Sequence, residues 1–307
     1  MARPLQKIKN DLIYYSARVL IFIIGYLPLS LVGRLGGGFG ALFYRLVPGE
    51  RRKTLNSLRT AFPKGFGDKE AERLALSAWS NLGRNLFEII RWRRWTQERI
   101  VGQIARVRGV EHADKAHKKG RGFFVVTGHL GNWELLGGYM CRRYKGSALA
   151  QKIYDPRFDR LITEFRLHNL GAVSMIKRGV ALRGILKALK ENQYILALCD
   201  QDTGSDGVFV PFFGKPAWTQ SGVARIAQKT GASLVPAFVV RGPDGQFELH
   251  VEKEIEVPRT ADREKDVLET VRRITEVIEA YIKAYPDQWV WMHERWKTRP
   301  ENEKARV

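Results

Sequence analysis

Cysteine is nearly absent: Cys141 and Cys199 are the only two, each inside an apolar stretch, so no disulfide scaffold is implied. No Cys/His cluster has metal-ligand spacing. His112 and His117 lie five apart in a lysine-rich segment, which does not fit that pattern, and no metal is expected. A G-x-S-x-G elbow is missing, which counts against a serine hydrolase, and Ser221 in Gln220-Ser221-Gly222 reads as helix-start chemistry. Helix-turn-helix, zinc-finger and RNA-recognition signatures are missing as well. Acidic residues are scarce, 32 against 52 basic ones, for a formal charge of +20. Such a surface attracts polyanions, whether nucleic acid, anionic lipid or an acidic protein, and charge alone does not choose among them.

A long uninterrupted apolar run is also lacking. Leu12 to Val32 comes nearest, but Arg18 and Pro28 interrupt it. A spanning helix needs about 20 apolar residues, and an arginine held at the bilayer centre costs roughly 2.5–3.5 kcal/mol. Arg18 is near enough to one end to snorkel. A marginal span, an interfacial anchor and a buried core helix all remain open. Membrane association is favoured, because Arg3, Lys7 and Lys9 precede the segment and Arg45, Arg51, Arg52 and Lys53 follow it. No A-x-A-like cleavage site is evident, which fits poorly with a removable signal peptide.

At 307 residues, 44% of them hydrophobic, the chain can bury a substantial core. Gly36-Gly37-Gly38 and Pro48-Gly49 punctuate two short helical stretches. Helical spacing then covers 50–61 and 68–92, the second closing in the basic-aromatic cluster Arg91-Trp-Arg-Arg-Trp95. From Val107 short apolar runs alternate with helical stretches, the pattern of α/β architecture. Strands are expected at 122–127, 147–151, 172–176, 194–199, 234–241 and 247–251, the last two joined as a hairpin. Helices are expected at 132–144, 155–169, 180–191 and 266–284, and another capped by Thr219 or Ser221 and ended by Gly231.

What is present and informative is the stretch Phe123-Phe-Val-Val-Thr-Gly-His-Leu-Gly-Asn-Trp-Glu134. An apolar strand leads into a glycine-flanked histidine at a sheet edge, where active-site loops of α/β folds lie. In one straight helix His129 and Glu134 would point roughly 140° apart. A turn before a helix starting near Asn132 can swing the ring back toward Glu134. A carboxylate so placed holds one imidazole nitrogen protonated and leaves the other to accept a proton. Asp200-Gln201-Asp202, at the exit of another strand, reads as a second wall, followed by Val208-Phe-Val-Pro-Phe-Phe-Gly214.

Together with Phe209-Val-Pro-Phe-Phe-Gly-Lys-Pro216 and the terminal Trp289-Val-Trp-Met-His-Glu-Arg-Trp-Lys-Thr-Arg-Pro300, these segments resemble the bacterial lipid A biosynthesis acyltransferases. Those late lauroyl and myristoyl transferases belong to the H-x-x-x-x-[DE] group, and the likeness covers nearly the whole chain. It implies a mixed sheet flanked by helices, an N-terminal membrane-anchoring helical segment over 1–48 and an acyltransferase domain over 49–307. It implies an enzyme on the cytoplasmic face of the bacterial inner membrane, moving an acyl chain from acidic acyl carrier protein to a hydroxyl of a lipid A precursor, or of another glycolipid or phospholipid. No cofactor would be needed beyond the thioester co-substrate, and the charge would serve the carrier protein, the phosphorylated lipid and an anionic membrane surface, not nucleic acid.

Carried over, His129 is the general base and Glu134 its partner. Asp200 and Asn132 are substrate-binding positions, and an arginine that contacts substrate is Arg166 or Arg178, with Arg166 better placed. Backbone N–H groups of 128–132 are candidates for an oxyanion, and Phe209, Phe212, Phe213 and Trp218 for an acyl groove. Trp289, Trp291 and Trp296, with Arg295 and Lys297, either sit at the membrane interface or close the core.

Overall fold

The computed structural model describes residues 2–63, 65–150, 155–170, 174–177, 181–204 and 206–300. Helices α1 (Ala2–Ile24), α2 (Leu29–Leu46), α3 (Pro48–Ala61), α4 (Asp68–Trp92) and α5 (Gln97–Val101) come first. Then β1 (Ile104–Arg108), α6 (Val110–Lys118), β2 (Phe123–Thr127), α7 (Trp133–Arg143), β3 (Gly146–Ala150), α8 (Pro156–Leu170), β4 (Ser174–Lys177), α9 (Ala181–Lys190) and β5 (Tyr194–Leu198) alternate. The antiparallel pair β6 (Gly207–Phe212) and β7 (Lys215–Gln220) precedes α10 (Gly222–Thr230), β8 (Ser233–Arg241), β9 (Phe247–Val251) and α11 (Arg263–Ala284).

The main sheet has seven strands in the order β1-β9-β8-β2-β5-β3-β4. Every neighbouring pair is parallel except β8 and β9, so the sheet is mixed, as expected. Helices cover both faces. Phe124, Val126, Leu234 and Phe238 join the core beneath α9, α10 and α11, while Phe123, Val125, Val235 and Val239 join the one beneath α6 and α7. Burial on two faces is why these strands read as continuous apolar runs and not as alternating ones.

Several sequence expectations change. The stretch 208–214, given no element by the sequence, is the first strand and turn of a tight hairpin: Phe213 and Gly214 form the turn, both with positive φ (51° and 73°), which suits the twist of paired strands. Ser221 sits at the start of α10 but makes no side-chain cap; Thr219 belongs to β7. The expected strand 147–151 and the extended segment 172–176 each run past the described residues.

The triple glycine does not interrupt α2 either. It lies within a continuous helix that packs on α4. A Cβ at Gly36 would stand 2.6 Å from the Gly83 carbonyl oxygen, and one at Gly40 2.0 Å from that of Trp79. The close approach of two backbones outweighs the helix cost of about 1 kcal/mol per glycine.

The N-terminal apolar segment is divided at Pro28 into α1 and α2, and no helix among the described residues is long and apolar enough to cross a membrane. A spanning anchor is therefore not found. Instead α1 exposes Leu12, Tyr15, Val19, Phe22 and Ile23, and α2 exposes Leu31, Leu35, Phe39, Leu42 and Leu46. Both rows recur at helical spacing, so each helix presents an apolar stripe outward. The C-terminal tryptophans go the other way: Trp289 and Trp291 are buried and close the core.

Candidate active site

The C-terminal ends of β2, β5 and β8 share one sheet edge. In register, Thr127 faces Leu198 and Val126 faces Pro236. His129 and Asp200 each lie two residues beyond the end of their strand, so neighbouring parallel strands deliver them side by side. His129 Nδ1 is 2.8 Å from Asp200 Oδ1, and the His129 amide donates to Asp200 Oδ2 at 2.7 Å. Trp289 Nε1 donates to the same Oδ2 at 2.8 Å. Gly128 allows this approach, since a Cβ there would stand 3.1 Å from the Asp200 carboxylate.

Asp200 is fully buried. Burial alone would push its carboxyl up, but the His129 imidazole and the donors from His129 and Trp289 outweigh it and hold the group at about 2. The imidazole itself remains partly open to solvent, with Trp133 edge-on at 5.2 Å between ring centroids. With Nδ1 facing an ionised carboxylate, Nε2 is the nitrogen left to face an incoming group.

The expectation that Glu134 holds the ring is corrected here. Glu134 lies in the first turn of α7 and faces α8, where Arg166 Nη2 and Nε donate to Oε1 at 2.7 and 3.0 Å. Helix geometry separates the two: Gly131, at φ +58°, turns the chain so that α7 leaves the histidine before Glu134 is reached. The Asp200 side chain is sealed beneath the imidazole, fully buried.

Asn132 caps α7, its Oδ1 accepting from the Leu135 amide at 2.9 Å, and is itself buried. Its Nδ2 has no protein partner among the described residues. Arg178 lies outside the described residues. Three of the five loop amides expected to face an oxyanion are engaged elsewhere: His129 N to Asp200, Gly131 N to the Gln288 carbonyl at 3.0 Å and Asn132 N to the Val239 carbonyl at 2.8 Å.

The loop is thus clamped from three sides. Asn85 on α4 donates to the Gly131 carbonyl at 2.7 Å, and Arg241 bridges Asn85 and the buried Glu88. A Cβ at Gly131 would stand 2.0 Å from the Val239 oxygen.

Sequence reasoning gave Trp289, His293 and Arg295 no part in the site. His293 is within electrostatic reach of Asp200 and His129, and burial pushes its imidazole below the ordinary range. Arg295 is completely buried, donates to the Trp218 carbonyl and Thr219 Oγ1, and burial lowers its guanidinium to about 10. The terminal Trp-Val-Trp-Met-His-Glu-Arg run was the available signal, but without the fold nothing tied it to Asp200. Of the aromatic candidates for a groove, Phe212 is core, packed on Trp289 and Trp296, whereas Phe209 and Trp218 are half-buried on the hairpin.

Residues 6–298 match the family model of the bacterial lipid A biosynthesis acyltransferase. A lipid A biosynthesis lauroyltransferase of Escherichia coli (strain K12) is 30% identical over 94% of this chain and 92% of that protein. The lipid A biosynthesis palmitoleoyltransferase of the same organism is 28% identical, covering 91% and 89%. A phosphatidylinositol mannoside acyltransferase of Mycobacterium tuberculosis (strain ATCC 25618 / H37Rv) is 23% identical, covering 81% and 77%.

Proposed function

Since the chain belongs to the bacterial lipid A biosynthesis acyltransferase family, we propose that it moves a fatty acyl group from an acyl-carrier-protein thioester to a hydroxyl of a lipid A precursor. The observation that carries the chemistry is the 2.8 Å contact between His129 Nδ1 and the buried, ionised Asp200. Asp200 fixes the tautomer with the proton on Nδ1. Nε2 takes the acceptor hydroxyl proton as its oxygen attacks the thioester carbonyl carbon. The C–S bond then breaks and the imidazolium returns the proton to the leaving thiolate. General base catalysis of this kind contributes about 10²–10⁴-fold.

The developing oxyanion needs a donor. With three loop amides engaged, Arg166 takes that role, held by Glu134 through Nε and Nη2 with Nη1 left for substrate. No metal or other cofactor enters the scheme, because a thioester is already activated.

The exposed stripes on α1 and α2 support interfacial seating on the cytoplasmic face of the bacterial inner membrane. Residues 1–48 would then supply the membrane-seated segment and 49–307 the chemistry. The +20 charge suits an acidic carrier protein and an anionic lipid surface. The likeness to a phosphatidylinositol mannoside acyltransferase keeps another glycolipid acceptor as the second reading.

Detergent-solubilised protein, incubated with acyl-carrier-protein thioester and a lipid A precursor, should add one acyl mass by mass spectrometry, and His129→Ala should abolish the addition. An unmodified precursor with the wild-type protein would sink the first reading. Acylation of a mannolipid instead would establish the second.

A further inference from the structure

We infer that the arginine-lined cavity between α1, the end of α4 and α8 is a phosphate subsite for the headgroup of the membrane-resident acceptor lipid. The inference rests on the acyl-transfer reading above and deepens it. The cavity holds about 560 Å3, and Arg18, Arg93, Arg94, Arg157 and Arg160 line it, against Glu164 as the single carboxylate among the described lining residues. Like charges that outnumber their counter-charges repel one another in the free protein, and an anion relieves that repulsion.

Two of the five are oriented by their neighbours. Arg157 is fixed by Asp155 and Asp11 at 2.8 and 2.5 Å and lies over the Tyr14 ring, and Arg94 stacks 3.6 Å from the Tyr26 ring centroid. Arg18, Arg93 and Arg160 form no ion pair with a described carboxylate, which leaves their forks available to phosphate oxygens.

Position selects a lipid as the occupant. Ile21 and Phe22 of α1 also line the cavity, and Phe22 belongs to the outward apolar stripe. The phosphate subsite therefore borders the surface assigned to the membrane. On α8, Arg160 in the cavity and Arg166 on Glu134 are separated by six residues, about 9 Å along the axis. A headgroup phosphate held by Arg160 would then sit on the helix that also carries Arg166. A concave cavity also suits a small headgroup better than the convex helix face of a carrier protein.

The test uses the full chain in detergent micelles, so that membrane seating does not limit the rate. Acceptors are a phosphorylated lipid A precursor and the same lipid after phosphatase treatment. Arg93→Gln/Arg160→Gln should raise KM for the phosphorylated acceptor by about 10- to 100-fold, as expected for lost charge-assisted hydrogen bonds. The KM values for the dephosphorylated acceptor and the thioester donor should stay put. Arg93→Lys/Arg160→Lys should recover part of the loss, and Arg18→Gln gives an independent second variant should the double variant fold poorly.

An unchanged KM for the phosphorylated lipid overturns the subsite. So does a rise confined to the donor, which would assign the arginines to the carrier protein. Relief of inhibition by inorganic phosphate without a change in lipid KM would make this a site for free phosphate, and also overturns it. Wild-type protein that acylates neither lipid would defeat the acyl-transfer reading itself, a different outcome from wild-type transfer with an indifferent variant.

Discussion

Trp289 donates its indole N–H to Asp200 Oδ2 at 2.8 Å, so a residue near the end of the chain fixes the carboxylate that orients His129. The same segment touches the loop again, since Val290 N donates to the His129 carbonyl and Gly131 N to that of Gln288. The 288–290 segment therefore braces the edge that holds His129 and Asp200, while Trp289 and Trp291 close the core.

Asp200→Asn removes the ionised acceptor from beneath the ring and should lower kcat by about 10³-fold or more while preserving membrane attachment. The folded pKa of Asp200 is depressed from 3.8 to about 2. Its stabilisation is thus present above the unfolded value and lost as pH falls from about 4 through about 2, an amount near 2 kcal/mol. Acid-unfolding curves of the wild type should bend in that window, and those of Asp200→Asn should not. Trp289→Phe removes one donor and should move the bend to higher pH.

Glu134 and Arg166 should behave as one unit. Glu134→Gln and Arg166→Gln are each expected to lower kcat/KM by roughly 10- to 100-fold, with the double variant little worse than the poorer single one. Losses that simply multiply in this cycle would show that the ion pair has no joint role.

Two glycines two residues apart should respond in opposite senses. Gly40→Ala places a methyl 2.0 Å from the Trp79 carbonyl oxygen, so α2 and α4 must separate, costing about 2 kcal/mol or more. A Cβ at Gly38 meets nothing within 4 Å, and Gly38→Ala should stabilise the helix by about 0.5–1 kcal/mol. Chemical denaturation in detergent reads both; equal effects would contradict the close packing of these helices.

Leu12, Val19 and Ile23 lie on the outward stripe of α1. Replacing all three by aspartate should reduce flotation with anionic vesicles by at least about 10-fold, while transfer to a soluble acceptor analogue in micelles persists. Undiminished flotation would remove α1 from the membrane contact.

Local pattern alone determined the alternation of strands and helices after Val107, the β8–β9 hairpin and the helix that starts near Asn132. Each depends on residues a few positions apart, and periodicity, turn chemistry and capping act over that range. The choice of acid for the histidine was not local. Glu134, five residues on, looked nearest, but the order β2-β5 in the sheet brings Asp200 from 71 residues away, and parallel register aligns the two strand ends. The same holds for Gly36 to Gly38, which read as a break by propensity; Gly36 and Gly37 became a helix interface once α4 supplied a surface to press against. Strand order and helix docking are settled by burying apolar faces across the whole chain, and only the folded chain could decide which distant carboxylate would meet the ring.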